Sequence, residues 1–146
     1  MRTVNVEWRP DEQRFTASGT HPGHTITLNA PHEAGSPPTG FSPSELLLAG
    51  VGACAAWDVV EILRKGRQEV TGVDVRVTGE QRPEPPWAYE RIEAHFVVRG
   101  RGIRPAFVER AVRLSCERYC SVIATLRGVA EVVSTFEVID EASVEA

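Results

Sequence analysis

Three cysteines are the residues of this 146-residue chain with the clearest potential for chemistry. A thiolate is a strong nucleophile, and the reactivity of a cysteine depends on how easily its surroundings let it ionise. Cys54 lies within the apolar stretch AGVGACAAWDVV, and Asp58 follows four residues later. On a helix these two side chains share one face. Cys54 is therefore a candidate nucleophile, although a free buried cysteine also packs like a small hydrophobic residue.

The other two thiols lie close together in the later stretch SCERYCSVIATL. If a helix begins at Cys120, its free N–H groups and positive dipole end favour a thiolate and predict a lowered pKa for this residue. Cys116 precedes it by four residues, at a position that could face solvent, and we interpret it as incidental. Cys54, in contrast, is expected to have a raised pKa in its apolar setting unless an arginine lies beside it.

One long central helix is predicted over residues 42–66. Ser42 can cap its N-terminus, with Glu45 reaching back as the capping-box partner. Apolar residues occupy nearly every side of this segment, and such a helix is expected to be buried on all sides. One chain of this length offers too few partners for that burial. The pattern therefore predicts a homodimer in which two such helices pack together, with Gly50 and Gly52 allowing a close approach.

The other elements are predicted from alternating apolar residues and from turn residues. Together with the central helix they form one domain over residues 1–146. Its predicted parts are a β-meander over 1–30, a connector over 31–41, a β-hairpin over 69–99, C-terminal helices over 104–127 with a break near Tyr119, and a last strand over 129–139. This order of elements predicts the α+β class with antiparallel sheets.

Composition and short motifs narrow the classes of partner and cofactor. The formal net charge is −4 and no basic stripe is interleaved with aromatic residues, so neither a nucleic-acid nor a membrane partner is expected. The start, MRTVNVEWRP, has no apolar segment of the signal-peptide kind, and with three cysteines this predicts a cytoplasmic location. The sequence has no HExxH or CxxC pattern, and we expect no metal site and no cofactor.

Two stretches taken together resemble the OsmC/Ohr family: SPSELLLAGVGACAAWDVVEILRKG and, some sixty residues later, SCERYCSVIATL. The resemblance covers essentially the whole chain and is closest to the OsmC-like branch. It implies an OsmC-like fold in an intertwined α+β homodimer, whose two long central helices are buried at the subunit interface. It also implies a thiol peroxidase that needs no cofactor, with a hydroperoxide as substrate and a thiol reductant as partner.

The resemblance further implies a role for individual residues. Cys54 would attack the peroxide and Cys120 would resolve the product to a disulfide. Family members stabilise the thiolate with an arginine from the N-terminal β-region, for which Arg14 and Arg9 are both candidates. They hold that arginine with a glutamate near the start of the central helix, and Glu45 is the candidate here.

The roles of the supporting residues and the choice between two functions stay open at the level of sequence. The family's glutamate position aligns with Ser44 rather than Glu45. Asp58 would oppose ionisation of Cys54 unless it holds an arginine, and we include it as a supporting residue. An apolar site favours organic hydroperoxides over H2O2, because an organic group can bury apolar area. The alternative function is that of a non-catalytic or weakly catalytic dimeric protein, which binds a small apolar ligand between its subunits.

Overall fold

The computed structural model describes residues 1–21, 23–28 and 40–143. Contacts group the chain into two compact units, Met1–Leu47 and Leu48–Ala146. In the first unit an antiparallel sheet is formed by three consecutive strands: β1 (Asn5–Arg9), β2 (Arg14–Ser18) and β3 (Thr25–Leu28). The predicted meander is therefore confirmed for the described residues. Residues 31–39 of the predicted connector lie outside the described part of the chain.

Helix α1 (Pro43–Lys65) begins with the predicted capping box. The Glu45 N–H donates to Ser42 Oγ, and the Ser42 N–H donates to Glu45 Oε2, both at 3.2 Å. These two bonds satisfy donors that the first turn of a helix leaves free. At the other end the Gly66 N–H donates to the carbonyl of Ile62 at 2.9 Å. The predicted central helix is confirmed, with each end within one residue.

The second unit continues with the predicted hairpin and two helices. Strands β4 (Glu69–Gln81) and β5 (Tyr89–Arg101) pair antiparallel. Helix α2 (Pro105–Leu114) runs into a π-helical turn over Ser115–Tyr119, and helix α3 (Ser121–Leu126) follows. Cys120 separates the two helical segments in an extended conformation, with φ −69° and ψ 106°. The break predicted near Tyr119 is confirmed one residue later.

The last strand, β6 (Glu131–Asp140), completes a second sheet in the order β4-β5-β6. It pairs with β5 in parallel, so the prediction of purely antiparallel sheets is wrong for this pair. The reason lies in the connection, because α2 and α3 carry the chain back along the sheet before β6 begins. A crossover through helices returns the chain in the same direction, whereas a tight turn reverses it.

The core of the second unit contains one side of α1 and one face of β5. Val51, Ala55, Val59 and Leu63 recur every four residues along α1 and are fully buried. They share one hydrophobic cluster with the alternate residues Ile92, Ala94, Phe96 and Val98 of β5, and with Val108, Ala111 and Val112 of α2. A period of four on the helix and of two on the strand gives each element one apolar face.

Other parts of the surface of α1 are exposed in the described part of the chain. Trp57 is 70% exposed and Leu47 is 46% exposed. This exposure agrees with the expectation that one chain offers too few partners to bury the helix, and its burial in a dimer stays a prediction. Gly52 faces this chain's own sheet, because a Cβ there would lie 3.1 Å from Val77 Cγ2. Its close approach is to β4, so the predicted packing of Gly52 against a second copy is wrong, whereas that of Gly50 stays a prediction.

By length and composition alone, α1 is long and apolar enough to cross a membrane. Core helices of soluble proteins pass the same test. Asp58 and Glu61 lie within the helix, and ionisable side chains are costly in a lipid-facing segment. The absence of a membrane partner stays a prediction.

Candidate active site

Two thiols and one carboxylate of the second unit converge beside α1. Cys54 comes from the middle of the helix, Asp58 from the next turn, and Cys120 from the break before α3. The two Sγ atoms and a carboxylate oxygen all lie within 4.8 Å of one another. Both cysteines are free thiols. The structure thus brings together residues that are 66 positions apart in the chain.

Cys120 is held in place by its position as the residue that caps α3. Its Sγ accepts a hydrogen bond from the Ile123 N–H at 3.4 Å, and its side chain is only 2% exposed. Burial raises the pKa of the Cys120 thiol to about 12; the Ile123 N–H opposes this rise, and the neighbouring Cys54 adds to it. The prediction that a helix start lowers this pKa is therefore wrong, because burial disfavours the charged form more strongly.

Cys54 is half-buried and is the thiol that ionises more easily. Burial raises the pKa of Cys54, but hydrogen bonds from the Val122 N–H, the Cys120 thiol and Ser121 outweigh it and lower the pKa below its usual 9.0. Ser121 Oγ lies 3.9 Å from Cys54 Sγ. The prediction of a raised pKa is therefore wrong, because the start of α3 is directed at Cys54 and supplies the stabilisation expected from an arginine.

Asp58 is positioned by a serine that the sequence analysis did not single out. Ser115 is fully buried, and its Oγ lies 3.2 Å from Asp58 Oδ2 and 3.1 Å from the carbonyl oxygen of Ala55. The hydroxyl therefore donates its hydrogen to acceptors on α1. The sequence signal for this role was a polar residue in line with the apolar side of the helical stretch over residues 104–118, since a buried hydroxyl needs a partner.

Arg14, Arg9 and Glu45 belong to the first unit, where each has a partner. Arg14 forms an ion pair with Glu12, and Arg9 pairs with Glu7 at 2.8 Å. Glu45 accepts the capping hydrogen bond described above. Their predicted support of Cys54 stays a prediction.

Cys116 is not one of the three residues of this cluster, although the charge of Asp58 contributes to its raised pKa. It is half-buried and lines a groove of about 760 Å³ between α2 and β6. Burial raises the pKa of the Cys116 thiol, and a hydrogen bond with Ser134 opposes this rise.

A second groove, of about 720 Å³, runs between α1 and α2 past Asp58, Trp57 and Tyr119. Neither of these two grooves is lined by Cys54 or Cys120.

Comparison with known proteins gives matches along most of the chain. The family model described as "OsmC-like protein" matches residues 35–134. Protein YhfA of Escherichia coli strain K12 is 41% identical over 117 residues, which are 80% of this chain and 84% of that protein.

Solved structures with the same fold are also found. An OsmC-like protein from Mycoplasma pneumoniae has a TM-score of 0.79 at 19% identity, over 95% of this chain and 97% of that one. The organic hydroperoxide resistance protein OhrB of Bacillus subtilis has a TM-score of 0.64 at 17% identity, over 94% and 98%. At such identities the likeness shows the fold.

Proposed function

Because this chain belongs to the OsmC-like protein family, and because two of its thiols lie side by side, we propose that it is a cysteine-based peroxidase that reduces organic hydroperoxides. The observation that carries the proposal is the pairing of Cys54 and Cys120. Their sulfur atoms lie within 4.8 Å of each other, and the pKa of Cys54 is lowered while that of Cys120 is raised to about 12. Cys54 is suited to attack the hydroperoxide, and Cys120 stays protonated until it reacts with the oxidised Cys54.

The reaction begins when the Cys54 thiolate attacks the terminal oxygen of the hydroperoxide. The O–O bond breaks, the alkoxide leaves and takes a proton from solvent, and Cys54 becomes a sulfenic acid. Cys120 then attacks the Cys54 sulfur. The S–O bond breaks, water leaves with the Cys120 proton, and a disulfide forms. Two equivalents of an external thiol reduce this disulfide and return both cysteines to their starting state.

A second copy of the chain completes the proposed site. Cys54 is half-buried on a helix whose uncovered side exposes Trp57 and Leu47. Packing of a second α1 against this side would bury these residues and surround the thiol with apolar atoms. Such a surround favours a hydroperoxide with an organic group, since that group buries apolar area on binding. We place the reaction in the cytoplasm, where reductant thiols keep cysteines reduced.

The test is a count of free thiols after one equivalent of cumene hydroperoxide is added to the reduced protein. We expect rapid loss of two thiols per chain in the wild type and slower loss with H2O2. Cys54→Ser should lose the fast reaction, and Cys120→Ser should stop at a sulfenic acid that a sulfenic-acid-specific reagent traps. Cys116→Ser is the matched control, because this thiol lies outside the cluster, and it should react as the wild type does.

Slow loss of all three thiols, with no difference between the two peroxides, would contradict the proposal. The remaining function would then be binding of a small apolar ligand between subunits. The half-buried thiol and the uncovered apolar side of α1 favour that second function independently of any reaction. Mass spectrometry of the native protein, looking for a retained small molecule, would test it.

A further inference from the structure

The cluster beside α1 contains a set of ligand types that transition metals bind. Two thiols and one carboxylate, from Cys54, Cys120 and Asp58, present their ligand atoms within 4.8 Å of one another. Two thiolates bound to one tetrahedral zinc ion, each at about 2.3 Å, are about 3.8 Å apart. The spacing in the structure is therefore compatible with a zinc site once the side chains close around the ion.

The protein holds these ligands with the kind of support that metal sites need. Cys54 and Asp58 are one turn apart on α1, which is a rigid element. Cys120 is fixed at the start of α3 by the bond to its sulfur from the Ile123 N–H. Ser115 donates to Asp58 Oδ2 at 3.2 Å from a fully buried position, and hydrogen bonds of this kind orient a carboxylate for a metal.

We propose that the reduced protein binds one divalent zinc-class cation through Cys54 Sγ, Cys120 Sγ and Asp58 Oδ, with the fourth position open to water. The ligand set of two thiolates and one carboxylate selects Zn²⁺ over Mg²⁺ and Ca²⁺, which take oxygen ligands only. Binding needs no oxidant or reductant; each thiol gives up a proton as it coordinates the metal.

Metal binding would also regulate the peroxidase, and this part of the inference rests on the proposed function. The metal holds the sulfur electron pair with which Cys54 would attack a hydroperoxide. The zinc form should therefore be oxidised more slowly than the metal-free form. Conversely, disulfide formation would remove two of the three ligands and release the ion.

The experiment is a Zn²⁺ titration of the reduced, chelator-treated protein against a colorimetric zinc indicator, without peroxide. We expect one zinc per chain and no binding of Mg²⁺. Co²⁺ in place of Zn²⁺ should give a thiolate-to-metal charge-transfer band. Cys54→Ser, Cys120→Ser and Asp58→Asn should each lose or greatly weaken binding, and Ser115→Ala should weaken it by about 10- to 100-fold. Cys116→Ser is the matched control and should bind as the wild type does.

A measurement on the wild type guards against variants that fail to fold. Zinc should protect Cys54 from alkylation, and should leave Cys116 far less protected than Cys54. The absence of a charge-transfer band, or equal binding by Cys54→Ser, would overturn the metal site. Zinc binding by a protein that never reacts with hydroperoxide would leave the metal site standing and overturn the peroxidase.

Discussion

At the scale of single residues, two neighbouring thiols differ in how easily they ionise. Cys54 is half-buried and Cys120 is buried, and burial raises the pKa of each. The difference arises from hydrogen bonds. Cys54 accepts bonds from the Val122 N–H, Cys120 and Ser121, and together they lower its pKa by more than burial raises it. Cys120 has the Ile123 N–H, which does not offset its burial or the effect of Cys54. At a pH between the two pKa values, Cys54 is therefore a thiolate nucleophile while Cys120 stays protonated.

The lowered pKa of Cys54 and the raised pKa of Cys116 predict distinct pH profiles of alkylation for these two thiols. A thiol reacts as the thiolate, so a lowered pKa moves the reaction to lower pH and a raised pKa moves it to higher pH. In metal-free protein, we expect Cys54 to reach half of its maximal rate with iodoacetamide below pH 9.0, and Cys116 to reach it above that value. Peptide mass spectrometry resolves the two rates.

The variant Cys120→Ala provides a check on the cause. It removes a donor to Cys54, and the midpoint for Cys54 should move to higher pH, whereas Cys116→Ala should leave it in place. A Cys54 midpoint equal to or above that of Cys116 would contradict this account.

At the scale of elements, α1 combines two separable features. Its N-terminus is fixed by the capping box of Ser42 and Glu45, and its middle carries the thiol and the carboxylate of the cluster. Helix capping accounts for the observed hydrogen bonds of Glu45. The arginine partner that the family resemblance implies for it is a separate prediction.

Paired variants can distinguish these two roles of Glu45. Ser42→Ala should lower the free energy of unfolding by about 1 kcal/mol, because a Ser cap is lost. Glu45→Gln should keep most of the stability, since glutamine also serves in a capping box. Urea unfolding measures both. We expect Glu45→Gln to reduce hydroperoxide at close to the wild-type rate; a large loss of rate at unchanged stability would instead assign Glu45 to the site.

At the scale of the whole molecule, part of the apolar surface of α1 is exposed in the described part of the chain. One stripe of the helix is fully buried, while Trp57 and Leu47 on other sides are exposed. Large exposed apolar surfaces on soluble proteins mark sites of association. The homodimer remains a prediction that this surface supports.

Trp57→Glu tests the dimer directly. We expect the wild type to have twice the mass of one chain by light scattering, and Trp57→Glu to have the mass of one chain, because a buried unpaired charge is costly. Val129→Glu is the control, since it places the same charge on a similarly exposed apolar residue outside α1. A monomeric wild type, or dissociation by both variants alike, would contradict the proposed interface.

The sequence by itself determined most of the elements and predicted the cysteines of the proposed site. Caps and apolar periodicity are local properties, and they gave the bounds of α1 and the break at Cys120 because each depends on residues a few positions apart. The two stretches around Cys54 and Cys120 also predicted the family. The same local patterns gave no metal motif, because the ligand types in the cluster are split between α1 and a break 66 residues later.

Only the tertiary structure decided which thiol ionises more easily and how β6 pairs. The start of α3 supplies hydrogen bonds to Cys54 on another helix, and the extent of burial at Cys120 depends on everything packed around it. The parallel pairing of β6 follows from the path of the crossover through α2 and α3. The reason is the same in each case: pKa values, pairing direction and burial are set by groups distant in sequence, and no local pattern records where they meet.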